Sequence, residues 1–129
     1  MTTKIIDRQH AFVGLTPLLG IANIGASNGV EFKIRPGTLL LNVFSQTNVG
    51  FDALGVTLTV TDSAIIFIAA EDVTVPGTGT VANVPKYYPT GGLISVSVEQ
   101  SGAGTATVGE LLVGFEYVIV GNGNAGIEE

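Results

Sequence analysis

The chain has 129 residues, a mass of 13.2 kDa and a formal net charge of −6. Only 12% of its residues are charged, against about 25% in a usual soluble domain, yet its apolar content of 46% excludes a disordered chain. The acidic balance excludes nucleic acid as the main partner, because phosphate binding needs a basic face, and the lack of cysteine excludes disulfides and thiolate chemistry.

Residues 1–9 are predicted to form an N-terminal arm ahead of one folded domain. The ends of a chain are usually poorly ordered unless contacts hold them in place. For this arm, we expect those contacts to come from docking on a neighbouring molecule. Its candidate contact residues, which mix charge with β-branched apolar side chains, are Lys4, Ile5, Ile6 and Arg8. In the strand that follows, Phe12 is a further candidate.

Neither secretion nor membrane insertion is indicated. Asp7 and Pro17 interrupt the basic and apolar regions that a signal peptide would need, so we expect no signal peptide. The longest apolar run, Ala64–Ala70, is far shorter than the 18 or more residues of a membrane helix.

Residues 10–120 are predicted to form an all-β domain, an antiparallel β-sandwich of about eight strands. Period-2 alternation is typical of half-buried strands, and in Val56–Thr61 every odd position is Thr. The predicted strands are residues 10–14, 18–24, 30–35, 38–46, 55–61, 64–70, 92–100 and 105–120. Short strands separated by turn signals favour a sandwich or barrel, and several long connections favour a jelly roll.

The last predicted strand is long and has two different faces. Its odd positions from Leu111 to Ile119 are apolar, whereas its even positions mix Glu with apolar residues. Unbroken, residues 105–120 would span nearly 50 Å, so we expect a bulge or bend at Gly109 or Gly114.

The segment Ala64–Ala70 is apolar on both faces, although a strand in an antiparallel sheet normally exposes one face to water. Two explanations remain open: the following loop covers the second face, or another subunit does. Ile66 is the candidate contact residue of this segment.

The Pro-rich connection Glu71–Thr90 contains the best candidate for a binding loop, the pair Tyr87–Tyr88. Exposed aromatic side chains on a stiff loop supply contact area for sugars or proteins. The alternative is that the two rings cap one open end of the sandwich.

No catalytic, cofactor or metal site is predicted. His10 is the single histidine, and without a G-x-S-x-G motif it does not indicate a Ser–His–Asp triad. One histidine and no cysteine do not indicate a zinc site. Gly121–Gly126 matches a dinucleotide-binding pattern, but only three residues follow, too few for the helix that such a site needs. The scattered acids are expected to confer solubility, with a weak calcium site as the alternative.

The charges are unevenly distributed along the sequence. Residues 1–35 carry four cations against two acids, whereas residues 36–129 carry Lys86 alone against nine acids. The chain ends in residues 121–129, a Gly-rich tail with Glu128 and Glu129. A chain with this charge asymmetry could associate head to tail with other copies of itself.

Across residues 10–120 the chain is short, acidic, free of cysteine and rich in Gly, Thr and Val. In length, charge and composition it resembles the small β-sandwich or jelly-roll virion proteins of tailed bacteriophages, the head-decoration or cement proteins. The resemblance implies a non-enzymatic structural protein, a homo-oligomer with a trimer favoured, made in the host cytoplasm. It would sit on the outer capsid surface, bind a coat protein and stabilise the shell by bridging coat subunits.

From the acidic balance, the short apolar runs and the lack of site motifs, we expect that no nucleic acid, membrane, small-molecule substrate or cofactor is bound. The alternative function is a carbohydrate- or receptor-binding β-sandwich module that uses Tyr87, Tyr88 and nearby loop acids. A small hydrolase is a third possibility.

Overall fold

The computed structural model describes residues 11–120, together with the backbone of two short strands, Ile5–Ile6 and Ile127–Glu128. The strands are β1 (Ile5–Ile6), β2 (Phe12–Leu15), β3 (Leu19–Gly20), β4 (Val30–Ile34), β5 (Thr38–Val49), β6 (Val56–Thr61), β7 (Ile66–Asp72), β8 (Gly77–Thr78), β9 (Lys86–Tyr88), β10 (Gly92–Gln100), β11 (Glu110–Ile119) and β12 (Ile127–Glu128). Two 3-10 turns, Ile21–Asn23 and Ala26–Asn28, lie between β3 and β4. None of the described helical segments is long and apolar enough to cross a membrane.

The main strands form two antiparallel sheets in the jelly-roll order. The four-stranded sheet runs β4-β10-β6-β7, and the six-stranded sheet runs β2-β11-β5-β8, with β3 on β11 and β9 on β5. The eight main strands, numbered 1 to 8 in chain order, are β2, β4, β5, β6, β7, β8 together with β9, β10 and β11. In this numbering the four-stranded sheet has the order 2-7-4-5 and the six-stranded sheet the order 1-8-3-6. This order places two Greek keys in a double sheet. The predicted antiparallel jelly-roll sandwich is confirmed.

The core lies between the two sheets and follows the period-2 pattern of the sequence. In β6, Val56, Leu58 and Val60 are fully buried, whereas the alternating threonines face outward. In β10, Ile94, Val96 and Val98 are buried in the same way. The six-stranded sheet contributes Leu40, Val43, Leu111, Val113 and Phe115 from its inner face.

Two predicted strands are shorter than the sequence pattern suggested. Residues 18–24 form only the two-residue strand β3 and a 3-10 turn. The final strand begins at Glu110 rather than at residue 105, because Asp52 holds the preceding segment across the end of the sandwich. Its carboxylate accepts hydrogen bonds from both the amide and the hydroxyl of Thr107.

The two glycines of the last predicted strand serve different purposes. A register shift separates Glu110 from Leu111, directly after Gly109, and a second one separates Glu116 from Tyr117. Gly114 stays in register with Phe44. A Cβ atom at Gly114 would lie 2.0 Å from Cζ of Phe44, so the phenyl ring needs glycine there.

Irregular pairing of β7 buries neighbouring residues of the doubly apolar segment, and the following loop lies along the edge of β7 rather than over its outer face, where Ile66 is 47% exposed. The register of β7 shifts against β6 on both sides of Val60, and both Phe67 and Ile68 are buried. The amide of Ala82 donates to the carbonyl of Phe67 at 2.9 Å, and Asn83 Nδ2 donates to the carbonyl of Ile66 at 2.7 Å. The connection between β7 and β9 therefore lies along the free edge of β7.

Candidate interaction surfaces

The outer face of the six-stranded sheet is mainly apolar. Cross-strand partners project to the same side of a sheet, and the register pairs Val13 with Glu116, Leu15 with Gly114, and Val118 with Leu39. We call this surface the apolar face; its members are Val13, Leu15, Leu39, Phe44, Tyr87, Leu112 and Val118. The same side of the sheet also carries the charged Glu116 and two exposed polar side chains, Asn42 and Gln46.

The outer face of the four-stranded sheet has the opposite character. It presents mainly Thr, Ser and charged side chains, with two large apolar exceptions, Leu93 and Ile66, the partner of Thr61. Its polar members are Glu31, Lys33, Thr57, Thr59, Thr61, Ser95, Ser97 and Glu99. A sandwich in water normally has polar residues on both outer faces, so the contrast makes the apolar face the candidate interaction surface.

The apolar face continues onto the edge strand β2. Residues 11–21 contain no charge, and Phe12, Val13 and Leu15 are about half exposed, as are Leu18 and Ile21 just beyond the strand. Soluble proteins usually protect an edge strand with charged side chains or cover it. An uncharged, apolar edge of this kind is typical of an interaction site.

Asp62, Lys86 and Tyr88 connect the two sheets at one end of the sandwich. Asp62 follows β6 in the four-stranded sheet, and both Lys86 and Tyr88 lie on β9 in the other sheet. Oδ2 of Asp62 accepts hydrogen bonds from Lys86 Nζ at 2.5 Å and from the Tyr88 hydroxyl at 2.8 Å. The ammonium also lies 4.9 Å from the centre of the Tyr88 ring.

The environment of this cluster shifts two pKa values. Burial alone would raise the pKa of Asp62, but the hydrogen bonds from Lys86, the Ile65 amide, Tyr88 and the Ala64 amide lower it to about 2. Burial, followed by the hydrogen bond to the Asp62 carboxylate, raises the pKa of Tyr88. The cluster is therefore a charged carboxylate held by a cation and a neutral phenol, an arrangement suited to joining the sheets.

The residues predicted as contacts fall in different places. Phe12, Ile66 and Tyr87 are each between 47% and 49% exposed. Tyr87 pairs with Leu39 and belongs to the apolar face. Phe12 pairs with Tyr117 at the β2 edge, with the two rings 5.6 Å apart, so it projects to the opposite side of the sheet from the apolar face. Ile66 lies on β7 in the other sheet, so the fold does not bring it to these residues.

Tyr88 is only 5% exposed, so in this chain it caps the end of the sandwich, the alternative interpretation of the tyrosine pair. It offers no accessible ring beside Tyr87. In the arm, the backbone of Ile5 pairs with Glu128 and that of Ile6 with Ile127. Lys4, Arg8 and His10 lie outside the described residues.

The loop acids considered for calcium are engaged locally. Asp52 binds Thr107 and Val108, and these hydrogen bonds lower its pKa to about 2. Glu71 Oε1 accepts from the amide of Thr80, and Asp72 Oδ1 from Thr74. Within the described residues, no group of three or more His, Asp or Glu side chains is arranged to hold a metal ion.

The sequence patterns did not predict most of the apolar face. Leu112 and Val118 lie at even-numbered positions of β11, which also include two glutamates. From the sequence alone, this side of the strand is therefore predicted to have mixed polarity. Val13, Phe44 and Leu112 lie on three different strands, and only the sheet register brings them together.

No protein family and no curated protein matches this sequence. Among solved structures, the fold is similar to a chain of the cyanophage Pam1 capsid asymmetric unit. The TM-score is 0.60 at 16% sequence identity, and the match covers 84% of this chain and 84% of that chain. The similarity extends over most of both chains and shows a shared fold.

Proposed function

We propose that this chain is a non-enzymatic structural protein of a virus particle, which decorates the outside of a capsid and stabilises it by bridging coat subunits. The observation that carries the proposal is the match over 84% of both chains to a chain of a phage capsid asymmetric unit. A fold by itself does not determine function. The apolar face supplies independent support, since a mainly apolar outer face would be stabilised by contact with another protein.

The two outer faces of the sandwich suggest how the protein is oriented. The apolar face and the β2 edge would lie on the coat, where burial of Val13, Leu15 and Phe44 stabilises the contact. The Thr- and Ser-rich face would point to solvent. A net charge of −6 suits a location on the outside of the shell, away from packaged nucleic acid.

The test uses shells assembled from the coat protein encoded in the same genome, mixed with the purified chain and pelleted. We expect the chain to sediment with the shells and to raise their melting temperature. The variant Val13→Thr/Leu15→Thr keeps β-forming residues but makes the face polar, and we expect its affinity to fall about tenfold or more.

The matched control, Ser95→Thr/Ser97→Thr, changes two residues on the outer face of the other sheet. It should bind like the original chain. Absence of co-sedimentation would refute the proposal, as would a loss of binding in the control with none in the apolar-face variant. If the chain bound without raising the melting temperature of the shell, decoration of the capsid would be supported and its stabilisation would be refuted.

A further inference from the structure

The sandwich contains an apolar cavity between its two sheets, on the side where the edge strands β2 and β4 lie. Its volume is about 160 Å³. The apolar lining consists of Gly14, Phe32, Ile34, Leu40, Phe115 and Tyr117. A cavity of about 150 Å³ with such walls accommodates a molecule as large as benzene, so this one has room for a branched aliphatic side chain.

The glycine at position 14 helps to create this space. Gly14 pairs with Phe115 and therefore points inward, between the sheets. A Cβ atom built there would have Tyr117 Cε1 as its nearest neighbour, 3.8 Å away, which is an ordinary contact distance. A larger residue would fit at this position, and its side chain would occupy the cavity.

Two cations lie at the cavity. Lys33 and Arg35 contribute to its lining and both are exposed; Lys33 pairs with Leu93 and projects from the outer face of β4. Among the described residues the remaining cation, Lys86, is paired with Asp62, whereas neither Lys33 nor Arg35 forms a salt bridge within that part of the chain. An apolar cavity beside two unpaired cations fits a ligand that joins an aliphatic group to carboxylates.

We propose that this cavity binds the acidic C-terminal segment of a second copy of the chain, residues 127–129. Ile127 would fill the cavity, and Glu128 and Glu129 would face Lys33 and Arg35. The segment has the required chemistry, one branched aliphatic residue followed by two acids with no cation.

The tail can be released from its own arm at little cost. Within the described residues, Ile127–Glu128 forms a ladder of two residue pairs with Ile5–Ile6, and an isolated two-stranded ladder is at best marginally stable in water. Exchange of tails between copies would link them head to tail. This inference concerns contacts between copies and stands independently of coat binding.

The test measures self-association of the full-length chain by sedimentation equilibrium over a range of protein concentrations and at low and high salt. We expect an average mass that rises with concentration and falls with added salt. Gly14→Val fills the cavity from inside, and Ile127→Asp removes the aliphatic group. Each should weaken association about tenfold or more, and thermal unfolding checks that each variant is folded.

Charge reversal provides a second test that does not depend on the core. Lys33→Glu/Arg35→Glu and Glu128→Lys/Glu129→Lys should each associate poorly alone, and a mixture of the two should associate again. Glu31→Lys, an exposed change on the same strand as Lys33, is the control. A chain that stays monomeric at all concentrations, association that none of these variants alters, or a mixture that fails to recover would each overturn the proposal.

Discussion

The hydroxyl of Tyr88 donates a hydrogen bond of 2.8 Å to Oδ2 of Asp62. The two residues belong to different sheets, and 26 positions separate them in sequence. With Lys86 on the same oxygen, they form a polar connection across one end of an otherwise apolar sandwich. This connection, rather than an exposed binding site, is the role of the second tyrosine in the Pro-rich loop.

Tyr88→Phe should destabilise the fold by about 2 kcal/mol, because it removes a hydrogen bond to a charged group at a buried site. Urea unfolding measures the effect. Tyr87→Phe is the matched control and should change the free energy of unfolding by less than about 0.5 kcal/mol, since Tyr87 is exposed. In a double-mutant cycle with Asp62→Asn the two losses should not add; additive losses would contradict the connection.

The stability of the protein should fall as the pH drops from about 5 towards 2. The pKa of Asp62 is about 2 in the folded protein against an ordinary value of 3.8, so the unfolded chain takes up the proton first on acidification. The stabilisation is therefore complete above the unfolded pKa and is lost below it. Urea midpoints between pH 6 and pH 2.5 should show this fall, and Asp62→Asn should make it shallower. An unchanged slope in that variant would refute the role of Asp62.

Gly114→Ala should destabilise the fold by about 1–3 kcal/mol, because the new Cβ would lie 2.0 Å from Cζ of Phe44. Gly14→Ala on the neighbouring strand is the control and should be close to neutral, since its Cβ meets only an ordinary contact. Thermal unfolding compares the two. Phe44→Leu should relieve part of the cost of Gly114→Ala; equal stability of the two alanine variants would show that the ring moves aside freely.

Asn83→Ala should loosen the loop that covers β7. Asn83 has a φ of +64° and donates from its side chain to the carbonyl of Ile66, so alanine loses the hydrogen bond and also disfavours the backbone conformation. Hydrogen–deuterium exchange should rise at Ala82, whose amide binds the carbonyl of Phe67. Asn83→Gly keeps the backbone conformation accessible and should cause a smaller rise. Equal exchange in all three proteins would indicate that the loop is held by its apolar contacts alone.

The sequence by itself determined most of the main strands and the inner faces of the regularly alternating ones. Alternation in Val56–Thr61 assigned each residue of β6 to the core or the surface, because successive side chains of a strand point to opposite faces. The same local rule failed in β7, where register shifts bury the adjacent residues Phe67 and Ile68. Such irregularities depend on the partner strand, which the local pattern does not contain.

Only the tertiary structure decided which surfaces are candidates for contact. In sequence, Leu112 is one residue on a mixed strand face, and Phe44 is one of many apolar residues in β5. Antiparallel pairing of β2, β11 and β5 places them beside Val13 and Leu15 on one mainly apolar surface. The tertiary structure also buries Tyr88 and leaves Tyr87 exposed. Strand neighbours in a jelly roll are distant in sequence, so the composition of a sheet face is fixed by topology and register rather than by local pattern.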